Sequence, residues 1–214
     1  FIVPYMVRMS DNGVSYEIHN KLSPLAEQKR ILEQTREIGI GITNIHGWLL
    51  KQDVSYDSDE AIIIVEDFFK NFACNVFKAS MALGTEKGSA PAFNLVKDKK
   101  VFMGSSYLKN IVNELFNGDY NKVIHMRNMA HMSIAPTGSL SSTFPRACFS
   151  YGVEPFTGPY YWRRTRAIDK GKYIHYFMVP DKIKEYVLSK LDPESNDYLT
   201  LNAFPGSLLD DVGV

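Results

Sequence analysis

Met132-Ser133-Ile134-Ala135-Pro136-Thr137-Gly138-Ser139-Leu140-Ser141-Ser142 is the stretch on which the reading of this chain turns. Met129 to Ile134 is short and apolar, as a buried strand is, and Pro136 stops it. A Pro-Thr-Gly-Ser turn follows, and then residues able to start a helix. The first backbone N–H groups of a helix lack intrahelical partners and carry partial positive charge. Thr137, Ser139, Ser141 and Ser142 add hydroxyls, and Gly138 lets an anion approach the backbone closely. Several such donors could hold a phosphate without lysine, each charge–dipole contact being worth roughly 0.3–1 kcal/mol. Turns of this composition also simply cap helices, and the pattern leaves both readings open. The Gly-Lys-Ser/Thr of a Walker A loop is missing.

Outward from this loop, helices and short strands alternate. Downstream, 160–166 and 173–179 read as strands joined at Asp169-Lys170-Gly171, and Pro180-Asp181 opens a helix to Leu191. Residues 192–214, with Pro193, Pro205 and four aspartates, read as an irregular tail. Upstream, 105–116 is a helix ended by Asn117-Gly118, and 85–103 a loop whose Lys97, Lys99 and Lys100 are solvated. The clearest helix is 58–84, with Asp57 as cap and Glu60 in capping-box register. It is apolar on nearly all sides, which predicts burial between layers. Gly39-Ile40-Gly41-Ile42-Thr43 is β-prone and leads into a helix over 45–50. An amphipathic helix is expected over 23–38, with Ser23-Pro24 at its start. Residues 1–22 show no clear period and read as an irregular or extended lead-in. The alternation predicts an α/β fold, with 1–214 as a single domain.

The 214 residues carry 24 Lys plus Arg and 24 Asp plus Glu, a net charge of +0. Neutrality argues against a nucleic-acid-binding domain, which would be clearly basic. No apolar run reaches the roughly 18 residues that a membrane span needs. Cys74 and Cys148 cannot alone build a disulfide framework or a thiolate zinc site. His125 and His131 lack further ligands at suitable spacing, so no metal site is expected. Phe1-Ile2-Val3-Pro4 has neither an initiator Met nor a signal-peptide layout. A cytoplasmic setting, and a chain that is part of something longer, are the expectations. Glu154, in a Gly-Val-Glu-Pro turn, is a candidate for fixing either the loop or a substrate.

Arg127-Asn128, then Ile134-Ala135-Pro136-Thr137-Gly138-Ser139-Leu140-Ser141, then Tyr151-Gly152-Val153-Glu154-Pro155-Phe156, then Tyr160-Tyr161-Trp162-Arg163-Arg164-Thr165-Arg166 resembles ribonucleotide reductase. Order and spacing are most similar to the adenosylcobalamin-dependent class II enzymes. Arg36-Glu37-Ile38-Gly39-Ile40-Gly41, Tyr56-Asp57-Ser58-Asp59-Glu60-Ala61 and Glu86-Lys87-Gly88-Ser89-Ala90-Pro91 extend the resemblance upstream, over roughly 23–182.

The resemblance implies the C-terminal half of a ten-stranded α/β barrel. It implies that Pro136, Thr137, Gly138, Ser139, Leu140 and Ser141 bind the phosphates of a ribonucleoside di- or triphosphate. Thr137, Ser139 and Ser141 would donate through hydroxyls, and Gly138 and Leu140 through the backbone. The family's radical cysteine sits in Asn-x-Cys-x-Glu, and neither Ala73-Cys74-Asn75 nor Ala147-Cys148-Phe149 matches. A fragment or split subunit, inactive alone, is therefore expected. A missing N-terminal barrel half or companion polypeptide would complete it, and adenosylcobalamin would bind only the complete enzyme. A non-catalytic phosphate-binding module derived from the same barrel is the alternative.

Overall fold

The computed structural model describes the chain except residues 1, 21, 23, 139, 141–149, 156, 157, 159, 160, 167–172, 179, 180, 197–206 and 211–214. The chain separates into two compact units, Phe1–Gly41 with Ile63–Ile134, and Ile42–Ile62 with Ala135–Val214.

The first unit opens on α1 (Val3–Asn20), where an irregular lead-in is expected from the sequence. Pro4 lies in the first helical turn, where its missing N–H costs nothing. Val7, Asp11 and Val14 form the buried face at i, i+4 and i+7. The acidic residue in the middle of that stripe hides its period. Asp11 is fully buried, and Arg36 donates to its Oδ1 from Nε at 3.0 Å and from Nη2 at 2.8 Å. Arg127 Nε lies 3.2 Å from both carboxylate oxygens, and Asn128 Nδ2 donates to Oδ1 at 3.2 Å. Asn128 also bonds the Ser80 hydroxyl and the Arg36 carbonyl. This hub ties α1 to the end of α2 (Ala26–Thr35), to α4 (Asp59–Lys87) and to the 127–128 segment.

Arg36 caps α2 in the left-handed region, at φ 47. The chain then extends beside 129–134, with Ile38 N–H donating to the Ala130 carbonyl and Ile40 N–H to that of His131, both at 3.0 Å. Ser133 N–H returns to the Ile40 carbonyl, which makes an isolated parallel bridge between Ile40 and Met132. Gly41 permits the approach, since a Cβ there would stand 2.2 Å from the Ser133 carbonyl oxygen.

The core of this unit gathers on the later part of α4. Ala73, Cys74 and Phe77 pack with Phe93 of α5 (Pro91–Asn94), Met103, and Ile111 and Val112 of α7 (Ser106–Phe116). The early part of α4 is not buried between layers as expected, for Ile62 and Ile63 are 65% and 67% exposed. Its cap is Ser58, whose Oγ accepts from Ala61 N–H, while Asp57 instead accepts from the Ser55 hydroxyl. The stretch expected as a loop over 85–103 holds α5 and α6 (Lys99–Phe102). Lys99 is not merely solvated: its Nζ donates to the Val123 carbonyl at 2.6 Å.

His131 is 2% exposed, packs its ring against Phe77, and leaves Nε2 without a partner. Burial pushes its pKa down to about 4. The unfolded chain takes up this proton near pH 6.5, so the folded state is favoured above that pH and loses stability as pH falls toward 4. The loss should total about 3 kcal/mol. Denaturant unfolding of wild type and His131→Leu at pH 7 and pH 4.5 checks this. A variant with the same pH dependence as wild type would contradict it.

The second unit contains α3 (Ile45–Lys51), a three-stranded sheet and α8 (Asp181–Leu188). Strands β1 (Tyr161–Arg166), β2 (Tyr173–Met178) and β3 (Ser207–Asp210) lie in that order, both pairs antiparallel. Arg163, Arg164 and Arg166 stand opposite Tyr176, His175 and Tyr173 in the register. β3 falls in the tail expected to be irregular.

The expected partial α/β barrel is thus corrected. The described residues are mainly helical, and their one sheet is an antiparallel meander that closes no barrel. Strands joined by a connection as short as 167–172 pair antiparallel, because a parallel return needs a crossover of a dozen or more residues. The extended pair around Ile40 and Met132 is held between left-handed Arg36 and Asn44, too short a run for a ladder.

Candidate functional site

In the second unit, three segments distant in sequence interlock around the 136–141 loop. Thr137 adopts φ 53, and Gly138 and Leu140 are helical. Ala135, Pro136 and Gly138 are exposed, and Leu140 is 53% exposed. Ser139 and Ser141, two of the expected phosphate ligands, lie outside the described residues.

The Thr137 hydroxyl donates to Thr43 Oγ1 at 3.1 Å, and Thr43 Oγ1 donates to the Tyr151 carbonyl at 2.5 Å. A carbonyl can only accept, so this chain has one direction, and the Thr137 proton is used within the protein. Direct donation from the Thr137 hydroxyl, expected from the sequence, is therefore replaced here by a positioning bond. That bond accompanies a left-handed backbone, which costs a β-branched residue energy that its surroundings must offset.

Asn44 N–H also donates to the Tyr151 carbonyl, at 2.6 Å, and Ile45 N–H to that of Gly152, at 3.2 Å. Asn44 Oδ1 in turn accepts from Ser150 N–H at 3.0 Å. Gly152 presses on the loop, for a Cβ there would stand 2.6 Å from the Ala135 carbonyl oxygen. Glu154 fixes this turn, its Oε2 accepting from Gly152 N–H at 2.8 Å. Tyr56 closes the same corner by donating to the Val153 carbonyl at 2.6 Å. Its ring lies 4.8 Å from that of His46, which burial holds below the usual imidazole pKa.

The arrangement presents a left-handed residue followed by a helix start, braced by 43–45 and 150–154. Such a start aims amides and positive dipole at an anion. Thr43, Asn44 and Tyr151 are the bracing residues that the sequence did not single out. Their one local signal is the Thr43-Asn44 pair before a helix, a capping composition.

The remaining candidates belong to the first unit or lie outside the described residues. Cys74 is buried in the core of the first unit, where burial pushes its thiol up. Cys148 lies outside the described residues. Among the described residues, no group of three His, Cys, Asp or Glu could hold a metal ion. None of the described helices is long and apolar enough to cross a membrane.

Residues 2–199 match the family described as ribonucleotide reductase, barrel domain. The chain belongs to the ribonucleotide reductase barrel-domain family. It is 31% identical over 118 residues to a vitamin B12-dependent ribonucleoside-diphosphate reductase of Thermoplasma acidophilum, covering 55% of this chain and 13% of that protein. It is 34% identical over 79 residues to a ribonucleoside-diphosphate reductase subunit alpha of Mycoplasma pneumoniae, covering 37% and 10%. Among solved structures, the Actinobacillus ureae class Id ribonucleotide reductase alpha subunit aligns with a TM-score of 0.59 at 20% identity, over 95% of this chain and 31% of that one. That likeness is one of fold. This ribonucleotide reductase chain corresponds to the C-terminal region of a catalytic subunit, and it spans a small part of each relative's length.

Proposed function

We propose that residues 136–141 are the substrate-phosphate loop of a ribonucleotide reductase, the enzyme that converts ribonucleotides to 2′-deoxyribonucleotides. The observation carrying this is the helix start at Gly138 behind a Thr137 held left-handed by Thr43. Gly138 and Leu140 would act through backbone N–H groups, and Ser139 and Ser141 through hydroxyls. Thr137 and Glu154 would act as positioning residues, one through Thr43 and the other through Gly152. The relatives named as ribonucleoside-diphosphate reductases favour a diphosphate substrate.

The thiyl radical of this reading belongs to a cysteine outside these 214 residues, on a further barrel portion or a companion polypeptide. The B12-dependent relative suggests adenosylcobalamin as radical generator, whereas the solved neighbour is of class Id. No residue of this chain is assigned to that cofactor, and no step is routed through it.

Calorimetric titration with ADP tests the loop. Ser139→Ala/Ser141→Ala should weaken binding at least about tenfold, the effect expected from two lost bonds to a charged group. Unchanged affinity, or no ADP binding by the wild type, would remove the proposal. A reductase assay on the isolated chain with adenosylcobalamin and a dithiol should give no turnover.

A further inference from the structure

The first unit has a second concavity, made entirely of its own residues. One face of α4 (Phe69, Lys70, Ala73 and Cys74) and one face of α7 (Tyr107, Asn110, Ile111 and Glu114) line a cavity of about 520 Å³, with Met132 also in the lining. The α4 residues fall at i, i+1, i+4 and i+5 and those of α7 at i, i+3, i+4 and i+7, so each set shares a helical stripe. The volume lies within the range of roughly 300–1,000 Å³ typical of small-molecule sites. It is independent of the phosphate loop, sharing no residue with it.

Its chemistry selects a ligand class. Phe69 and Tyr107 bring aromatic rings to the lining, and Ala73, Ile111 and Met132 add apolar wall. Flat apolar ligands pack well against such rings. Asn110 and Asn113 supply amide edges, each with donors and an acceptor. Lys70, the cation among the lining residues, is paired with Glu114 at 2.8 Å. Glu66 then adds a negative charge to the lining, which disfavours an anion. Tyr107 remains a neutral donor, since burial pushes its phenol up to about 12.

We infer that this cavity binds an uncharged, planar heteroaromatic molecule of nucleobase or nucleoside size. The occupant stacks on Phe69 and Tyr107 and pairs its polar edge with Asn110 and Asn113. A phosphate on the same ligand weakens binding through Glu66, since Glu114 is paired with Lys70.

The test is an NMR titration of the 214-residue chain with adenosine, read at the Tyr107 ring and at the side-chain amides of Asn110 and Asn113. Saturable shifts are expected. AMP should need about ten times the concentration to move these signals, as should adenosine acting on Asn110→Ala/Asn113→Ala. Both asparagines are exposed, so the double variant keeps the fold. The inference is overturned if adenosine gives no saturable shift at these groups. It is equally overturned if AMP acts as strongly, or if the double variant binds as well as wild type. Adenosine has no phosphate, so failure here leaves the reading of the 136–141 loop untouched.

Discussion

Asp11→Ala should lower the free energy of unfolding by about 3–5 kcal/mol, the range for removing one partner of a buried ion pair. The carboxylate is fully buried and receives Arg36, Arg127 and Asn128 together. Removing it strands two guanidinium groups whose side chains are only 9% and 13% exposed. Those charges cannot escape by deprotonating, because arginine holds its proton at any practical pH. A domain of ordinary stability has roughly 5–15 kcal/mol in total, so the loss should be a large fraction of the whole. The contrast is Arg8–Glu86, an ion pair whose side chains are 45% and 49% exposed. Glu86→Ala should cost far less, because water screens a pair this exposed. Urea denaturation of both variants at pH 7 decides the matter. Equal losses would show that the hub is not the anchor described.

Gly152→Ala should be the most damaging single-methyl change at the candidate site. The added carbon would meet the Ala135 carbonyl oxygen at 2.6 Å, and backbone cannot rotate aside as a side chain can. Overpacking of this kind costs about 1–3 kcal/mol. The displaced atom lies two residues before Thr137, so the loop should shift and ADP affinity should fall by about tenfold or more. Gly13→Ala is the control. A Cβ there meets nothing within 4 Å, and alanine in a helix should stabilise by roughly 0.5–1 kcal/mol. Should Gly152→Ala bind ADP as well as wild type, the turn at 150–154 does not position the loop.

Local signals carried much of this structure. α3, α7 and the strands β1 and β2 follow from spacing and composition; the turn expected at 169–171 lies outside the described residues. α1 did not follow, because its buried face has a carboxylate at its centre, and that carboxylate makes sense only with Arg36 and Arg127, 25 and 116 residues away. The cap of α4 was displaced by one residue, since Ser58 and Asp57 are both competent and the Ser55 hydroxyl claims the aspartate. The barrel expected from the family likeness is not formed by the described residues, whose one sheet is antiparallel throughout.

At the site, the small and hydroxyl residues of 136–138 were legible as a turn before a helix start. Their bracing was not. Thr43 meets Thr137 across 94 residues and the Tyr151 carbonyl across 108, and no local pattern announces pairings at that distance. The same contacts give the Thr137 hydroxyl a partner in Thr43 that the sequence did not indicate.

If the amides at this helix start gather on phosphate, backbone amide NMR will show it residue by residue. On titration with ADP, the Gly138 and Leu140 amide resonances should shift downfield and saturate, and adenosine at the same concentrations should leave them in place. Amides at 138 and 140 that stay unmoved by ADP, or that respond equally to adenosine, would contradict the account.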